Sequence, residues 1–387
     1  MKKFAFFRNG LLCCLLVAVT VSATTDAPVK KHPQPPAGKA RIQVAILLDV
    51  SNSMDGLIEQ AKAQLWNMVS VMGRATCNKE TPAISIALYE YGRSSNDASQ
   101  GYIQQLSGFT DNLDQLSETL FSINTLGGEE YCGQVLLRSI DELNWDGQAS
   151  SYKVVFIAGN EDFLQGKVGW QQACTAAARK GVIVNTIYCG DKMQGVREHW
   201  SLAGECGNGS YTNIDQDAKT IDIPTPYDSI LFSLNDQLNA TYIAFGNSGN
   251  KQQLKQEAVD KMNYSMSKSV AAKRVAVKGK RELYNNAGWD LVDAAEKDSL
   301  IVTRIDRSTL PDSLKTISKE ALNRMVNTKK SQRLNIRKEI DTYSLQREKY
   351  ITSKKAELYK GKNGTTLEIA IEKIIRQQAA QFNMVIQ

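Results

Sequence analysis

The sequence predicts an α/β fold with a doubly wound, mostly parallel sheet, followed by a mainly helical C-terminal region. Over roughly the first 245 residues, short runs rich in Val, Ile, Tyr and Ala alternate with amphipathic helical patterns. Several of these runs are almost continuously apolar, as in strands that are buried on both faces. Beyond about residue 250 the strand patterns give way to long polar helices.

Five parallel strands and one antiparallel edge strand are expected. The parallel strands are predicted at residues 42–49, 84–91, 152–158, 182–189 and 210–214. Only a short turn separates the second of these strands from residues 102–109, which predicts an antiparallel edge strand. Apolar positions with helical spacing predict intervening helices that begin near Leu57, Leu113, Val135 and Trp170.

The C-terminal region is expected to contain long helices over residues 251–274 and 314–359, then a turn at 361–364 and a last helix. One apolar or partly apolar seam recurs every seven residues, which is typical of a coiled coil. Its members are Leu322, Lys329, Ile336, Tyr343 and Tyr350. The companion seam contains Arg333 and Arg347, so a helical hairpin within one chain is favoured over a dry two-stranded coil.

Residues 1–23 are predicted to be a cleaved signal peptide, because basic residues precede a short apolar run and small residues follow it. That apolar run is too short for a membrane-spanning helix, and no second such segment follows. Residues 24–40 contain several prolines and predict a flexible leader. The sequence thus predicts an exported, periplasmic or secreted protein, with an α/β domain at 41–246 and a basic helical extension at 247–387.

The net charge of +6 is unevenly distributed. Residues 251–387 carry 28 basic and 16 acidic side chains, which leaves a net negative charge on the rest of the chain. This asymmetry predicts two different units. The basic helices lack interleaved aromatic residues, so nucleic-acid binding is not indicated.

The cysteine and histidine content argues against several enzyme classes. Five cysteines would remain after signal cleavage, without C-x-x-C spacing, so zinc is not indicated, and both disulfides and buried free thiols stay open. His32 and His199 are the two histidines, and nucleophile-elbow, P-loop and H-E-x-x-H motifs are absent. The sequence therefore favours a non-enzymatic protein, with a metal-assisted hydrolase using Asp49 and Glu130 as an alternative.

The strongest functional signal is Asp49-x-Ser51-x-Ser53, which joins the first predicted strand to the first predicted helix. In an open α/β sheet, ligands bind beyond the carboxyl ends of the strands. Carboxylate and hydroxyl oxygens suit a hard cation such as Mg²⁺ or Ca²⁺. The structural alternative is that the two serines only cap the helix.

These features resemble the von Willebrand factor type A domain and its metal-ion-dependent adhesion site, over about residues 40–245. The strings at residues 127–133, 156–161 and 185–190 are similar to a bacterial exported subgroup of that family. The resemblance implies that Asp49 holds a divalent cation largely through water, while Ser51 and Ser53 are direct ligands. It also implies a protein partner that completes the site with an acidic side chain.

Two of the ligands expected from the resemblance are replaced. Glu129 or Glu130 occupies the place of the family's threonine, and Gly159 occupies the place of an aspartate. Either a glutamate compensates and the cation is kept, or the metal is lost and the loops bind protein directly. The partner-binding loops are expected to include Asn52, Met54, Gly128, Asn160 and Glu161. The competing function is a structural or assembly factor of the cell envelope that acts through its helical tail.

Overall fold

The structure, a computed structural model, describes residues 40–215, 222–358 and 367–386. The predicted signal peptide, the leader with His32 and the turn at 361–364 lie outside these residues. The residues that the structure describes belong to one compact unit.

The central sheet has six strands in the order β4-β3-β1-β5-β6-β7, and a two-stranded antiparallel ladder joins β2 to β8. The strands are β1 Arg41–Asp49, β2 Ala75–Thr76, β3 Ala83–Tyr91, β4 Ile103–Thr110, β5 Tyr152–Gly159, β6 Ile183–Cys189, β7 Tyr211–Ile214 and β8 Val385–Ile386. All neighbours in the central sheet are parallel except β4, which is antiparallel to β3. The predicted fold class and the antiparallel edge strand are confirmed.

Fourteen α-helices lie among the described residues. They are α1 Asp55–Met72, α2 Leu113–Ser122, α3 Cys132–Glu142, α4 Trp170–Lys180, α5 Lys192–Arg197, α6 Trp200–Cys206, α7 Asp228–Asn239, α8 Gly249–Met266, α9 Lys268–Lys278, α10 Leu291–Lys297, α11 Ile301–Arg304, α12 Asp312–Lys315, α13 Lys319–Leu358 and α14 Leu367–Ala379. Helices α8 to α14 make up most of the C-terminal region, which agrees with the prediction that this region is mainly helical.

The register of the sheet brings the ends of three strands together. Asp49 at the end of β1 pairs with Tyr91 at the end of β3, and Leu48 pairs with Ala158 of β5. Gly92, which follows β3, and Gly159, the last residue of β5, therefore lie at the level of Asp49. Because the strands are parallel, their connecting loops meet at this carboxyl edge.

Helices α1, α2 and α14 together cover one face of the sheet. Ile371, Ile374 and Ile375 of α14 belong to the same hydrophobic core as Val44 and Phe156 of the sheet. The opposite face packs against α3, α4 and α6 in a second core. Each sheet face is thus buried beneath helices, as the nearly continuous apolar strands predicted.

Two predicted helices differ in their bounds. The helix predicted over residues 251–274 is broken at Ser267, whose extended backbone ends α8 and whose hydroxyl accepts hydrogen bonds from the first N–H groups of α9. The last long helix begins at Lys319 rather than near residue 314, after the separate short helix α12. Its heptad seam packs against α7, α9 and α10, and no coiled coil is seen among the described helices.

None of the helices among the described residues is both long and apolar enough to span a membrane.

Candidate functional site

The candidate site lies at the carboxyl edge of the sheet, where the loops after β1, β3 and β5 meet. Asp49 is completely buried, and its Oδ1 atom accepts a hydrogen bond from the Ser51 backbone N–H at 2.8 Å. Its Oδ2 atom is buried without a hydrogen-bond partner. Burial raises the pKa of Asp49 to about 6, the Ser51 N–H and hydroxyl oppose this rise, and the charge of Glu161 adds to it.

Glu130 is the glutamate that the fold places beside Asp49. Its side chain is buried, whereas Glu129 is exposed and its carboxylate accepts a hydrogen bond from the Tyr131 hydroxyl. Burial, followed by the charges of Asp49, Glu161 and Glu129 in that order, raises the pKa of Glu130 to about 7. The structure thus distinguishes Glu130, which is buried beside Asp49, from Glu129, which is exposed, whereas the sequence did not favour either.

The two serines of the motif are not used as helix caps. Neither the short 3-10 turn after Ser51 nor α1 has a side-chain cap hydrogen bond. The Oγ atoms of Ser51 and Ser53 lie 3.4 Å apart, and the Asn160 amide donates to Ser53 Oγ at 3.1 Å. Because neither hydroxyl caps a helix, both remain available as oxygen ligands for a cation. This favours the functional interpretation of the motif over the structural one.

Two glycines leave room around Asp49. A Cβ atom on Gly92 would lie 2.9 Å from Asp49 Oδ1 and 3.0 Å from Glu130 Cγ, and Gly92 has a φ of +81°. A Cβ atom on Gly159 would lie 3.0 Å from Asp49 Oδ2 and 2.5 Å from the Tyr91 hydroxyl. The aspartate that the family resemblance implied at position 159 therefore has no space in this chain.

The loop after β5 is fixed by residues that the sequence did not single out for the site. Gln165 accepts a hydrogen bond from the Glu130 backbone N–H at 3.3 Å and donates to Glu161 at 3.2 Å. The Trp200 indole donates to the Glu161 carbonyl at 2.7 Å, and His199 pairs with Asp162 at 2.9 Å. Gln165 thus links the two acidic residues, but its sequence context carries no recognisable signal.

The other predicted loop residues have different surroundings. Asn52 is exposed, and its side chain accepts a hydrogen bond from the Gly127 N–H at 2.7 Å. Gly128 packs closely against the backbone of residues 92–94, where a Cβ would come within 2.6 Å of the Ser94 nitrogen. Met54 is completely buried in the hydrophobic core, so its side chain is not presented to a partner.

The available donor set fits a hard cation. Asp49 and Glu130 supply carboxylates, Ser51 and Ser53 supply hydroxyls, and the unpartnered Oδ2 atom of Asp49 lacks a counter-charge. The other charges that act on Asp49 and Glu130 are those of further carboxylates. No cluster of three or more His, Cys, Asp or Glu side chains suited to a metal is found in the described part of the chain. A cation here would therefore depend on the serine hydroxyls as well.

Replacing Asp49 with asparagine is expected to stabilise the metal-free protein near pH 7.5. Between about pH 4 and pH 6 the folded state holds a proton on Asp49 that the unfolded state has released, so stability falls as pH rises through this window. The difference between a pKa of about 6 and the ordinary 3.8 corresponds to about 3 kcal/mol, which the variant recovers. Urea unfolding with a chelator at pH 4 and pH 7.5 measures it.

Asp111→Asn, which alters an exposed aspartate, is the control for this substitution. An advantage of Asp49→Asn that is the same at both pH values would contradict the explanation by burial. A loss of stability at pH 7.5 would contradict it as well.

Comparison with known proteins finds similar solved structures. No family model and no curated protein matches the sequence. Protein BatB from Bacteroides thetaiotaomicron is similar over 45% of this chain and 90% of its own, with 17% identity and a TM-score of 0.34. The SpRpn10 VWA domain is similar over 46% and 91%, with 12% identity and a TM-score of 0.35.

A third similar structure is proximal thread matrix protein 1 from the mussel byssus, which was solved with a zinc-occupied MIDAS motif. It is similar over 45% of this chain and 42% of its own, with 14% identity and a TM-score of 0.33. The strand order, with its antiparallel edge strand, and the position of Asp49 at the carboxyl end of β1 agree with the fold expected from the resemblance to the von Willebrand factor type A domain.

Proposed function

We propose that this protein is an exported, non-enzymatic binding protein that recognises a protein partner through a modified metal-ion-dependent adhesion site. The observation that carries the proposal is the Asp49 carboxylate, which is completely buried and has an unpartnered Oδ2 atom. Leaving a buried carboxylate uncompensated is costly, so a site built this way favours a cationic ligand. Export is supported by the signal-peptide pattern of residues 1–23.

Asp49, Ser51, Ser53 and Glu130 would hold the cation, which we propose to be Mg²⁺ or Ca²⁺. When bound, the cation supplies positive charge to the carboxylates and an attachment point for an oxygen of the partner, such as an acidic side chain. Asn160 orients the Ser53 hydroxyl, and Gln165 holds the backbone at Glu130. Glu130 thus takes the role that the family resemblance gives to a threonine, and adds a negative charge.

Removing the Glu130 carboxylate tests the cation directly. Glu130→Gln is expected to weaken Mg²⁺ or Ca²⁺ binding by at least about 10-fold. Mutating a residue that only hydrogen-bonds to a metal ligand typically lowers metal affinity by about 10–100-fold, and Glu130 would be a ligand itself. Glu129→Gln is the matched control, because it makes the same change one residue away at an exposed position. Calorimetric titration of both cations into the two variants and the wild type gives the affinities. Absence of binding by the wild type, or equal losses in both variants, would overturn the metal assignment.

Partner capture distinguishes the adhesion site from the helical tail. If the site recruits the partner, then a chelator and Glu130→Gln should both abolish capture by the full chain. If the tail acts instead, reversing exposed charges of α13 should abolish capture while the chelator has no effect. Lys330, Lys338 and Lys349 are exposed on that helix and suit replacement by glutamate.

A further inference from the structure

We infer that Cys174 and Cys206 are partners for a disulfide that would join α4 to α6 on one face of the sheet. The two helices pack against each other, and Ala173, Ala177 and Ala203 lie in their shared core. Small side chains at such an interface let the two backbones approach closely. The proposed bond involves none of the residues that would hold the cation.

The position of the Cys174 thiol supports this pairing. Its Sγ atom donates a hydrogen bond to the Ala203 carbonyl of α6 at 3.5 Å. The same carbonyl accepts the Gly207 N–H at 3.1 Å, so Cys206 belongs to the helical turn that Cys174 touches. The structure also records an interaction between the two thiols, which adds to the effect of burial in raising the pKa of Cys174.

The two thiols differ in their access to solvent. Cys174 is only 1% exposed, whereas Cys206 is partly exposed at the end of α6. Cys206 is therefore the thiol that a soluble oxidant reaches first. Exported proteins encounter such oxidants, and their disulfides persist in that environment.

With oxidised glutathione as the oxidant, the reaction balances in two exchanges. The Cys206 thiolate attacks the glutathione disulfide, forms a mixed disulfide and releases one glutathione thiolate. Cys174 then loses its proton, its sulfur attacks the Cys206 sulfur, and the second glutathione leaves. Two protein thiols are oxidised to one disulfide, and one glutathione disulfide is reduced to two thiols.

The bond would act on the loop after β5, because α6 begins at the residues that hold that loop. The Trp200 indole donates to the Glu161 carbonyl, and His199 pairs with Asp162. His199 adopts a left-handed backbone with φ of +67°, an unusual conformation for a residue with a side chain. Joining α6 to α4 would thus fix the helix on which this arrangement depends.

Peptide mapping of the full chain tests the inference. The folded protein is incubated with oxidised glutathione, alkylated under denaturing conditions without reductant and digested. We expect a crosslinked peptide pair containing Cys174 and Cys206, lighter by two hydrogens than the separate peptides, and a higher melting temperature than the reduced protein. Cys132, a buried thiol beside the Tyr91 hydroxyl, should be recovered alkylated.

Cys206→Ser provides the second measurement. This variant should show the same melting temperature with and without oxidised glutathione, and Cys174 should be recovered alkylated. In the wild type, recovery of both cysteines as alkylated thiols would overturn the inference. A lasting glutathione adduct on Cys206 would overturn it too, because Cys174 would then have failed to displace it.

Discussion

A chain that ends at Phe245 is expected not to fold, because it loses α14, which completes the helical cover on one face of the central sheet. Ile371, Ile374 and Ile375 of α14 are 4%, 5% and 0% exposed within the sheet's own core. Burying one such side chain contributes about 1.5–3 kcal/mol. Three of them approach the net stability of a typical domain, about 5–15 kcal/mol. Near-UV circular dichroism and urea unfolding should show no cooperative transition for the truncated chain.

The polar contacts of α14 point to the same outcome. Gln378 accepts hydrogen bonds from the Tyr152 hydroxyl at 2.9 Å and the Asn185 amide at 3.0 Å, all within the protein interior. Truncation would leave these partners of β5 and β6 without their hydrogen bonds. Ile375→Ala tests the same packing with a single substitution and is expected to lower the free energy of unfolding by about 2–5 kcal/mol. Gln377→Ala, at an exposed position of α14, is its control. A cooperative, wild-type-like transition of the truncated chain would show that the C-terminal helices are an appendage.

Local patterns were sufficient to predict most of the sheet. The strands predicted at 42–49, 84–91 and 152–158 lie within about a residue of β1, β3 and β5, because buried strands carry their signal in a few consecutive side chains. The helix break at Ser267 was missed, since serine is tolerated inside polar helices and its role as a cap depends on the chain direction that follows. Which helix covers which sheet face was not predictable, because it depends on contacts between distant parts of the chain.

In the candidate site too, the residues of a local motif were predictable, and those brought together by the fold were not. Asp49, Ser51 and Ser53 were found because they form a short motif at a strand end. The choice between Glu129 and Glu130 needed the loop conformation, which buries one carboxylate and exposes the other. Gly92 lies 43 positions after Asp49 in the sequence, and only the parallel register of β1 and β3 brings it beside the site.

The buried arginines of α13 have a signal in the sequence, but that signal does not identify their partners. Arg333 and Arg347 argue against a dry coiled coil, since charged side chains interrupt its apolar seam. Arg347 donates to Asp228 at 2.8 Å, and Arg333 donates to Asp290 and Asp293 at 2.6 Å each. A counter-ion that is 40 or more residues away in the sequence cannot be assigned from spacing along one helix.

Replacing Arg333 with alanine is expected to destabilise the protein by about 3–5 kcal/mol, because it leaves the buried Asp290 without its counter-charge and Asp293 with only the longer contact to Arg337, at 3.4 Å. Arg333, Asp290 and Asp293 are all completely buried. Burial alone would lower the pKa of Arg333, but the nearby aspartates raise it above its ordinary value, so the arginine stays charged. Its remaining donors reach the hydroxyl and carbonyl oxygens of Thr241 at 2.9 Å each. Urea unfolding at pH 7.5 measures the change.

Arg324→Ala, at an exposed position of the same helix, is the control and should cost well under 1 kcal/mol. Replacing Arg333 with methionine and both aspartates with asparagine removes these three buried charges together and keeps Arg337, which contacts Asp293 at 3.4 Å in the wild type. That triple variant should be more stable than Arg333→Ala, since a buried ion pair destabilises most when one partner is lost. A cost below about 1 kcal/mol for Arg333→Ala would mean that these charges do not fasten α13 to α10. Equal losses in the single and triple variants would instead assign the effect to packing of the arginine side chain against Tyr242, whose ring centroid lies 4.5 Å from the guanidinium.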